Sequence, residues 1–255
     1  MNRKEVDQKI KEFIRDFSSI NGGVTIWRKP LIGYAKALDS LFYSLKKAVS
    51  PSHFLPRDLL EDGQTVIAYF LPFKKNVVKT NLESSYSSRQ WARAYVETNE
   101  LIFKLNVYIK NELSRFGYNT YIIPATHNFN EDRLISNWSH RHVAYIAGLG
   151  TFGLNNMLIT SKGCAGRIGS LITNLKIEPT IRNSIEYCLY KSKEICRKCI
   201  DRCPTGALNI NFFDRFKCYE MLLENAKLHA SYGLADVCGK CCVGLPCSFT
   251  NPNSK

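Results

Sequence analysis

The side chains best suited to chemistry in this sequence are cysteines, and nine of the ten lie in its last third. Residues 196–207 carry three thiols at x2 and x3 spacing and end in Cys-Pro-Thr-Gly-Ala. This matches the closing part of the bacterial ferredoxin run, in which three cysteines hold one iron-sulfur cluster and the fourth ligates a second cluster. A partner group follows downstream, at Cys218, Cys238, Cys241, Cys242 and Cys247. The spacing therefore predicts two 4Fe-4S clusters.

The ligand set leaves one position open. The usual run, C-x2-C-x2-C-x3-C-P, would place a cysteine at position 193, where this chain has lysine. Cys188 and Cys242 are the two candidates to replace it. The simplest assignment gives one cluster Cys196, Cys199, Cys247 and either Cys188 or Cys242, and gives the other Cys203, Cys218, Cys238 and Cys241. Because Cys247 follows Pro246 instead of preceding it, a cluster with three thiolates or an unusual ligand is an alternative.

Disulfides and zinc are the competing uses of these thiols. The N-terminus is charged and has no apolar signal core, and no apolar run approaches the roughly 20 residues needed to span a bilayer. We therefore expect a cytoplasmic protein with metal-bound thiols and no membrane segment. Cys-x2-Cys pairs also serve zinc, but the Cys-Pro-Thr-Gly ending favours iron-sulfur.

The formal charge of +13 suggests nucleic acid or an acidic partner. Two oxidised 4Fe-4S clusters would offset about two charges each, and the basic residues are scattered instead of forming a nucleic-acid tail. We therefore do not expect nucleic acid as a partner, although a zinc-stabilised nucleic-acid binder is an alternative. The basic surface is better suited to an acidic, low-potential electron donor such as a flavodoxin or ferredoxin.

The elements before the cysteines alternate between helix and strand. Apolar periodicity predicts helices near 4–19, ended by residues 21–23, and over 35–49 and 90–113, and strands over 24–27, 65–71 and 118–123. This alternation indicates an α/β or α+β sandwich. The composition changes near residues 178–179 without a long linker, which predicts a core over 1–180 and a ferredoxin-like module over 181–255 packed directly on it.

A glycine-rich stretch lies between these two parts. Gly148, Gly150 and Gly153 match the G-x-G-x-x-G dinucleotide fingerprint in form. The context excludes that interpretation, because a helix is predicted before them over 138–147 and a strand after them over 157–160. The loop still offers backbone without side chains to a large ligand. Residues 163–173 predict a turn followed by a strand, and within them we expect Cys164 to be a small, half-buried residue. Residues 216–230 predict a helix with Cys218 near its start.

Residues 147–153 with 158–160, then 163–173, 203–207 and 238–247, resemble epoxyqueuosine reductase and the related corrinoid-dependent reductive dehalogenases. The resemblance implies a nitroreductase-like α/β core that binds cobalamin, with a two-cluster ferredoxin-like module appended. It also implies electrons passing singly through the clusters to a base-off cobalamin. Gly148, Gly150, Gly153, Asn155 and Thr160 would then line the corrin, largely through backbone groups.

The chain departs from this family upstream of the glycine stretch, where epoxyqueuosine reductase has an aspartate as proton donor. No acid in residues 130–142 aligns with it, so His140, His142 and Asp132 are the candidates here. The chain also ends after the cysteine-rich part, and we do not expect a tRNA substrate. The expected function is an iron-sulfur reductase acting on an unknown small molecule. The alternative is a corrinoid-free electron-transfer protein that serves a partner, such as a separate corrinoid protein.

Overall fold

A four-stranded antiparallel sheet forms the centre of the computed structural model, which describes residues 1–20 and 26–253. The strands are β1 (Leu31–Lys36), β2 (Thr65–Pro72), β3 (Thr120–Ile122), β4 (Phe129–Asn130), β5 (Ile135–Ser136), β6 (Gly150–Phe152), β7 (Leu158–Thr160) and β8 (Gly166–Thr173). The helices are α1 (Arg3–Ile20), α2 (Leu41–Ala48), α3 (Pro56–Leu59), α4 (Lys75–Thr80), α5 (Arg89–Ser114), α6 (His140–Ile146), α7 (Leu189–Lys193), α8 (Lys198–Asp201) and α9 (Arg215–Leu228). The central sheet has the order β1-β2-β8-β3, while β4-β5 and β6-β7 form separate two-stranded pairs.

Both faces of the sheet are covered by helices. Strand β2 is buried along its whole length, and side chains that alternate along a strand point to opposite faces. Ile67, Tyr69 and Leu71 belong to one core with residues of α1 and α5, whereas Val66, Ala68 and Phe70 belong to a second core with residues of α2 and α6. Because helices cover both faces of the sheet, the side chains on both faces of β2 are buried, and its sequence is one continuous apolar run although its neighbours are antiparallel. The fold is mixed α/β, with three layers.

Most of the predicted elements are present. The helices predicted over 4–19, 90–113, 138–147 and 216–230 correspond to α1, α5, α6 and α9, and the strands over 65–71, 118–123, 157–160 and 163–173 to β2, β3, β7 and β8. The helix stop predicted at 21–23 lies outside the described residues, as do Val24 and Thr25 of the strand predicted over 24–27. Trp27 forms an isolated bridge with Phe73.

The helix predicted over 35–49 is wrong at its start. Ala35 and Lys36 close strand β1, and the helix begins only at Leu41. Ala35 lies opposite Val66 of β2 and is buried. Pairing with a distant strand thus decides the conformation of these residues, and the local periodicity does not contain that information.

The cysteine-rich segment packs directly on the sandwich. The amide N–H of Cys164 donates to the carbonyl of Cys247 (2.9 Å). The ammonium of Lys240, only 2% exposed, donates to the carbonyls of Asn81 (2.9 Å) and Glu83 (2.6 Å). The boundary at 180/181 stays a prediction. Within the described residues, no helix has the length and apolar character needed to cross a membrane.

Candidate functional site

A cavity of about 470 Å³ lies where the sandwich meets the cysteine-rich segment. Its walls come from the N-terminal half of α5, the loop before β4, the start of α6, the turn before β7, the start of β8, and parts of residues 203–242. Most of the lining is apolar or aromatic, including Phe70, Phe73, Trp91, Phe129, Trp138, Met157, Leu158, Ile168, Leu208 and Leu222. The cavity can therefore hold a broad, largely apolar ligand.

Six cysteines line this cavity: Cys164, Cys203, Cys218, Cys238, Cys241 and Cys242. Four of them are the thiols that the motif spacing assigned to one cluster, and we call these the inner thiol group: Cys203, Cys218, Cys238 and Cys241. Cys218 stands in the first turn of α9, whose N-terminus is capped by the Asp214 carboxylate, which accepts from the amides of Phe216 and Lys217 (both 3.1 Å). Burial raises the pKa of Cys218 to about 12, and the neighbouring thiols Cys241, Cys238 and Cys203 contribute to that rise. Burial likewise raises the pKa of Cys238 to about 11.

A second group of four thiols lines a smaller pocket, and we call it the outer thiol group: Cys188, Cys196, Cys199 and Cys247. Burial raises the pKa of Cys199 to about 12, with contributions from Cys241, Cys188 and Cys196. Asn155 lines both pockets and donates from Nδ2 to the carbonyl of Cys241 (2.7 Å). The two groups of thiols therefore adjoin each other across this asparagine.

Cys188 and Cys242, the two candidates for the open ligand position, lie in different places. Cys188 lines the outer pocket, and Cys242 does not. Cys242 is buried, lines the large cavity, and accepts at its carbonyl from the Cys164 thiol (3.9 Å). The neighbouring thiols Cys164 and Cys241, together with burial, raise the pKa of Cys242. In the part of the chain that the structure describes, no three histidine, cysteine, aspartate or glutamate side chains converge on the space of one metal ion.

The glycine-rich stretch lies outside the lining of the large cavity. None of Gly148, Gly150 and Gly153 lines the large cavity. A Cβ at Gly150 would lie 1.9 Å from the Ile159 carbonyl oxygen, and one at Gly153 would lie 2.5 Å from Oδ1 of Asn155. These two glycines are needed by the tight β6-β7 hairpin, and Gly153 also borders the outer pocket. Of the residues expected to line a corrin, only Asn155 reaches the large cavity.

Thr160 and Asp132 also lie away from the cavity lining. Thr160 is fully buried, and its hydroxyl donates to the Gly163 carbonyl (2.8 Å) in the turn that leads to β8. Asp132 is exposed in the turn between β4 and β5. Thr160 therefore serves the turn, and the Asp132 carboxylate faces solvent.

His140 lines the cavity, but both of its ring nitrogens have partners within the protein. Nε2 lies 2.9 Å from the Pro124 carbonyl, which can only accept, so Nε2 carries the proton. Nδ1 then accepts from the Ser170 hydroxyl (2.8 Å), which in turn accepts from the Trp138 indole (3.0 Å). Burial lowers the pKa of His140 to about 4. At neutral pH His140 therefore carries no additional proton to give.

His142 lies outside the lining of the cavity. Its Nδ1 is 2.7 Å from the Ser139 hydroxyl, and its ring packs on Phe152 with centroids 4.6 Å apart. Burial, followed by the charge of Arg141, lowers the pKa of His142 to about 4. Of the three predicted proton donors, His140 lines the cavity, and His142 and Asp132 do not.

A polar group in the cavity wall was missed by the sequence reasoning. The Tyr95 hydroxyl donates to Oδ1 of the buried Asp236 (2.8 Å) and lies 3.1 Å from the Thr126 hydroxyl. Nε2 of His127 is 3.6 Å from the same Asp236 oxygen. The Arg167 guanidinium stacks over the Tyr95 ring at 4.3 Å. Tyr95 belongs to the apolar stripe of α5 and Asp236 comes 141 residues later, so no sequence spacing connects them.

Arg141 places a cation on the cavity wall beside the inner thiol group. Its Nη1 donates to the Asn156 carbonyl (2.6 Å). Desolvation by the surrounding protein lowers the pKa of Arg141, and the thiols Cys241, Cys242 and Cys218 oppose that shift. A guanidinium stays protonated in proteins, so a positive charge faces this wall of the cavity.

Comparisons with known proteins identify the fold. No family model and no curated protein matches the chain. A selenomethionine-labelled epoxyqueuosine reductase aligns with 23% identity and a TM-score of 0.55, over 95% of this chain and 66% of that one. The Bacillus subtilis epoxyqueuosine reductase, described with its catalytic loop swung out of the active site, aligns with 21% identity and a TM-score of 0.53, over 95% of this chain and 64% of that one. The catabolic reductive dehalogenase NpRdhA aligns with 16% identity and a TM-score of 0.58, over 94% of this chain and 32% of that one.

The fold is that of a class of mixed α/β reductases. More particularly, it is shared with the epoxyqueuosine reductases and the reductive dehalogenase NpRdhA, which confirms the resemblance at the level of fold. The chain spans about two thirds of the length of these epoxyqueuosine reductases and about one third of the dehalogenase.

Proposed function

We propose that the chain is an iron-sulfur oxidoreductase that passes single electrons through two 4Fe-4S clusters to a cobalamin, for reductive chemistry on a small molecule. One observation carries this proposal: a single cavity is lined both by the inner thiol group and by the Tyr95–Asp236 pair. Electrons and a proton, which a reduction needs together, would therefore reach the same space.

The two thiol groups fit iron-sulfur clusters by their donor set. The smaller pocket offers four cysteines and the large cavity six, and a 4Fe-4S cluster takes four thiolates, so each has enough for one cluster. The outer group would receive electrons and the inner group would pass them into the cavity. Because burial raises the pKa of Cys199, Cys218 and Cys238, these thiols are protonated without metal, and cluster assembly would release their protons.

The apolar and aromatic lining of the large cavity suits the broad ring of a corrin. Cobalamin would supply a strongly reducing cobalt centre when bound there. Both nitrogens of His140 are bonded within the protein, so this histidine offers cobalt no ligand.

The Tyr95 hydroxyl is the proton donor that this arrangement supports. Burial raises its pKa, so Tyr95 stays protonated at neutral pH and would give its proton only to a strongly basic product. The Arg167 guanidinium over the ring would stabilise the phenolate left behind. Asp236 holds the hydroxyl in position, and Nε2 of His127 lies 3.6 Å from the same carboxylate oxygen.

The direct test is to reconstitute the protein anaerobically, mix it with cob(II)alamin, desalt it, and record absorption and EPR spectra. We expect about eight irons per chain, from two four-iron clusters, and about one base-off cobalt. Two clusters without retained cobalt would contradict the corrinoid and favour an electron-transfer protein that serves a partner. A colourless protein with bound zinc would contradict both.

The location of the corrinoid is tested by a matched pair of variants. Ala125 lines the cavity, whereas Ala48 is an exposed residue at the end of α2. We expect Ala125→Trp to lose cobalt while keeping its iron, because the indole fills part of the cavity. Ala48→Trp should keep both. Equal cobalt retention in the two variants would place the corrinoid elsewhere.

The role of Tyr95 is tested with Tyr95→Phe, which keeps the ring and removes the proton. Against any small electrophile that the wild-type protein reduces, we expect turnover to fall about a hundredfold or more, the usual contribution of general acid catalysis. Iron and cobalt contents should be unchanged. Wild-type turnover by the variant would exclude Tyr95 as the donor.

A further inference from the structure

An exposed, basic stretch of chain, residues 189–198, connects Cys188 to Cys199 of the outer thiol group and contains Cys196. This stretch consists of α7, the connection to α8, and the first residue of α8. It carries four exposed cations, Lys191, Lys193, Arg197 and Lys198, and a single carboxylate, Glu194. None of these residues takes part in a salt bridge within residues 1–20 and 26–253. The positive field of the stretch is therefore not neutralised by side chains in salt-bridge contact there.

An exposed apolar side chain lies among these cations in the sequence. Ile195 directly precedes Cys196 and is 70% exposed. Weak electron-transfer complexes have small interfaces, and interfaces in general combine an apolar centre with a polar rim. Residues 189–198 have both features in one short stretch, next to the thiols that would hold the outer cluster.

The inner thiol group has no equivalent basic stretch beside it, because α9, which carries Cys218, mixes three cations with the carboxylates Glu220 and Glu224. An acidic electron carrier is therefore attracted to the outer group more than to α9. Opposite charge on that carrier would bring it to the basic stretch faster and would orient it with Ile195 at the centre of contact.

We propose that residues 189–198 are the docking surface for an acidic, low-potential, one-electron carrier protein, which reduces the outer cluster. This inference rests on the two-cluster arrangement proposed above and adds the site and the charge of the partner. The step is a single electron transfer: the carrier is oxidised by one electron, the outer cluster is reduced by one, and no bond is made or broken.

The test uses the anaerobically reconstituted full chain and a reduced flavodoxin as the acidic carrier, with cluster bleaching followed by stopped-flow absorption. Lys191→Glu/Lys193→Glu reverses two exposed charges on α7 without touching a cysteine. We expect the second-order rate constant to fall about tenfold or more at low ionic strength. The difference between wild type and variant should shrink as salt is added.

Two controls decide the location. Lys46→Glu/Lys47→Glu makes the same change in charge on exposed residues of α2, and should leave the rate within about twofold of wild type. Lys217→Glu/Lys227→Glu makes the same change in charge on α9, the helix that carries Cys218 of the inner group. A larger loss in the α9 variant, or equal losses in all three, would overturn the proposed location.

Excess dithionite separates this inference from the proposed function. Every variant should reach the same extent of cluster reduction with dithionite, which shows that its clusters are intact. An unchanged flavodoxin rate in the α7 variant with intact clusters overturns the docking surface and leaves the reductase proposal standing. Absence of bound cobalt has the opposite result: it overturns the corrinoid and leaves the docking surface testable by the same rates.

Discussion

Cys164 and Cys242 differ from the other cysteines in what they contact. Cys164 is buried, its thiol accepts from the Asn155 amide (3.9 Å), and the same thiol lies 3.9 Å from the Cys242 carbonyl, to which it donates. Both Cys164 and Cys242 line the large cavity, and neither lines the outer pocket. Cys188 lines the outer pocket together with Cys196, Cys199 and Cys247. The position of Cys188 therefore favours it over Cys242 as the fourth ligand of the outer group.

This placement predicts opposite results for the two candidate ligands. Cys188→Ser should remove the fourth thiolate of the outer cluster, so the iron content should fall from about eight to about four per chain, or one cluster should convert to a three-iron form. Cys242→Ser should keep about eight irons. Iron analysis and EPR of both reconstituted variants provide the measurement, with Cys164→Ser as the matched buried control. Loss of iron in Cys242→Ser alone would reverse the assignment.

His140 predicts a pH dependence of stability. Its pKa is about 4 in the folded chain, against about 6.5 in an unfolded one, because burial disfavours the charged ring. The folded state therefore binds fewer protons between these values, and stability falls as the pH drops from 6.5 towards 4. At pH 5.5 this single group should cost about 1 kcal/mol of unfolding free energy relative to neutral pH.

The measurement compares His140→Gln, which cannot titrate, with the wild type by thermal unfolding at about pH 7.5 and about pH 5.5, on either side of the unfolded-state pKa. Acidification should lower the Tm of the wild type by about 2–4 °C more than that of the variant, as expected for about 1 kcal/mol in a domain of this size. His142 titrates in both proteins and cancels in the comparison. Equal shifts in Tm would mean that His140 is already protonated or accessible to solvent in the fold.

At the scale of elements, a glycine fixes the turn that presents Cys238 and Cys241. Gly239 has φ of +71°, and a Cβ there would lie 2.3 Å from the Trp91 ring in α5. Gly239→Ala should therefore displace this turn from α5 and reduce both Tm and the iron of the inner cluster. Gly117 also has positive φ, at +78°, but no atom lies within 4 Å of its added Cβ.

The matched control Gly117→Ala isolates the cost of backbone conformation, about 1 kcal/mol. It should lower the Tm by a few degrees and leave the iron content unchanged. If Gly239→Ala lowered the Tm and the iron content no more than Gly117→Ala does, the contact with Trp91 would not be the reason that position 239 requires glycine.

The elements that were predictable from the sequence are those whose signal is local. The stripe of α5 and the apolar run of β2 repeat within a few residues, and both elements are present. Strand β1 was missed because its partner, β2, lies about thirty residues further on. The grouping of thiols followed from motif spacing for Cys196, Cys199 and Cys203. By contrast, Tyr95 and Asp236 meet only through the tertiary fold. The close contacts that require glycine at 150 and 153 also depend on the pairing of β6 with β7.

At the scale of the whole molecule, the buried apolar side chains are unevenly distributed. Two large cores lie on the two faces of the central sheet. The third cluster of buried side chains contains only Cys199, Leu208 and Leu245, and α9 buries only Asn225 among the described residues. Apart from the side chains that pack on the sandwich, residues 198–253 therefore contain few buried apolar side chains. A segment with so few buried apolar contacts needs another source of stability, and metal binding can provide it.

Removal of the clusters should therefore loosen one part of the molecule and spare the other. We expect anaerobic chelation of iron to increase backbone hydrogen exchange in α9 and residues 230–253, because their order depends on cysteines held together by metal. Exchange in β2, β8 and α5 should not change, since their cores contain most of the apolar side chains. Mass spectrometry of the two forms gives the measurement. Faster exchange throughout would show one cooperative unit instead of a core with a metal-dependent segment, and unchanged exchange throughout would show that the segment is ordered without metal.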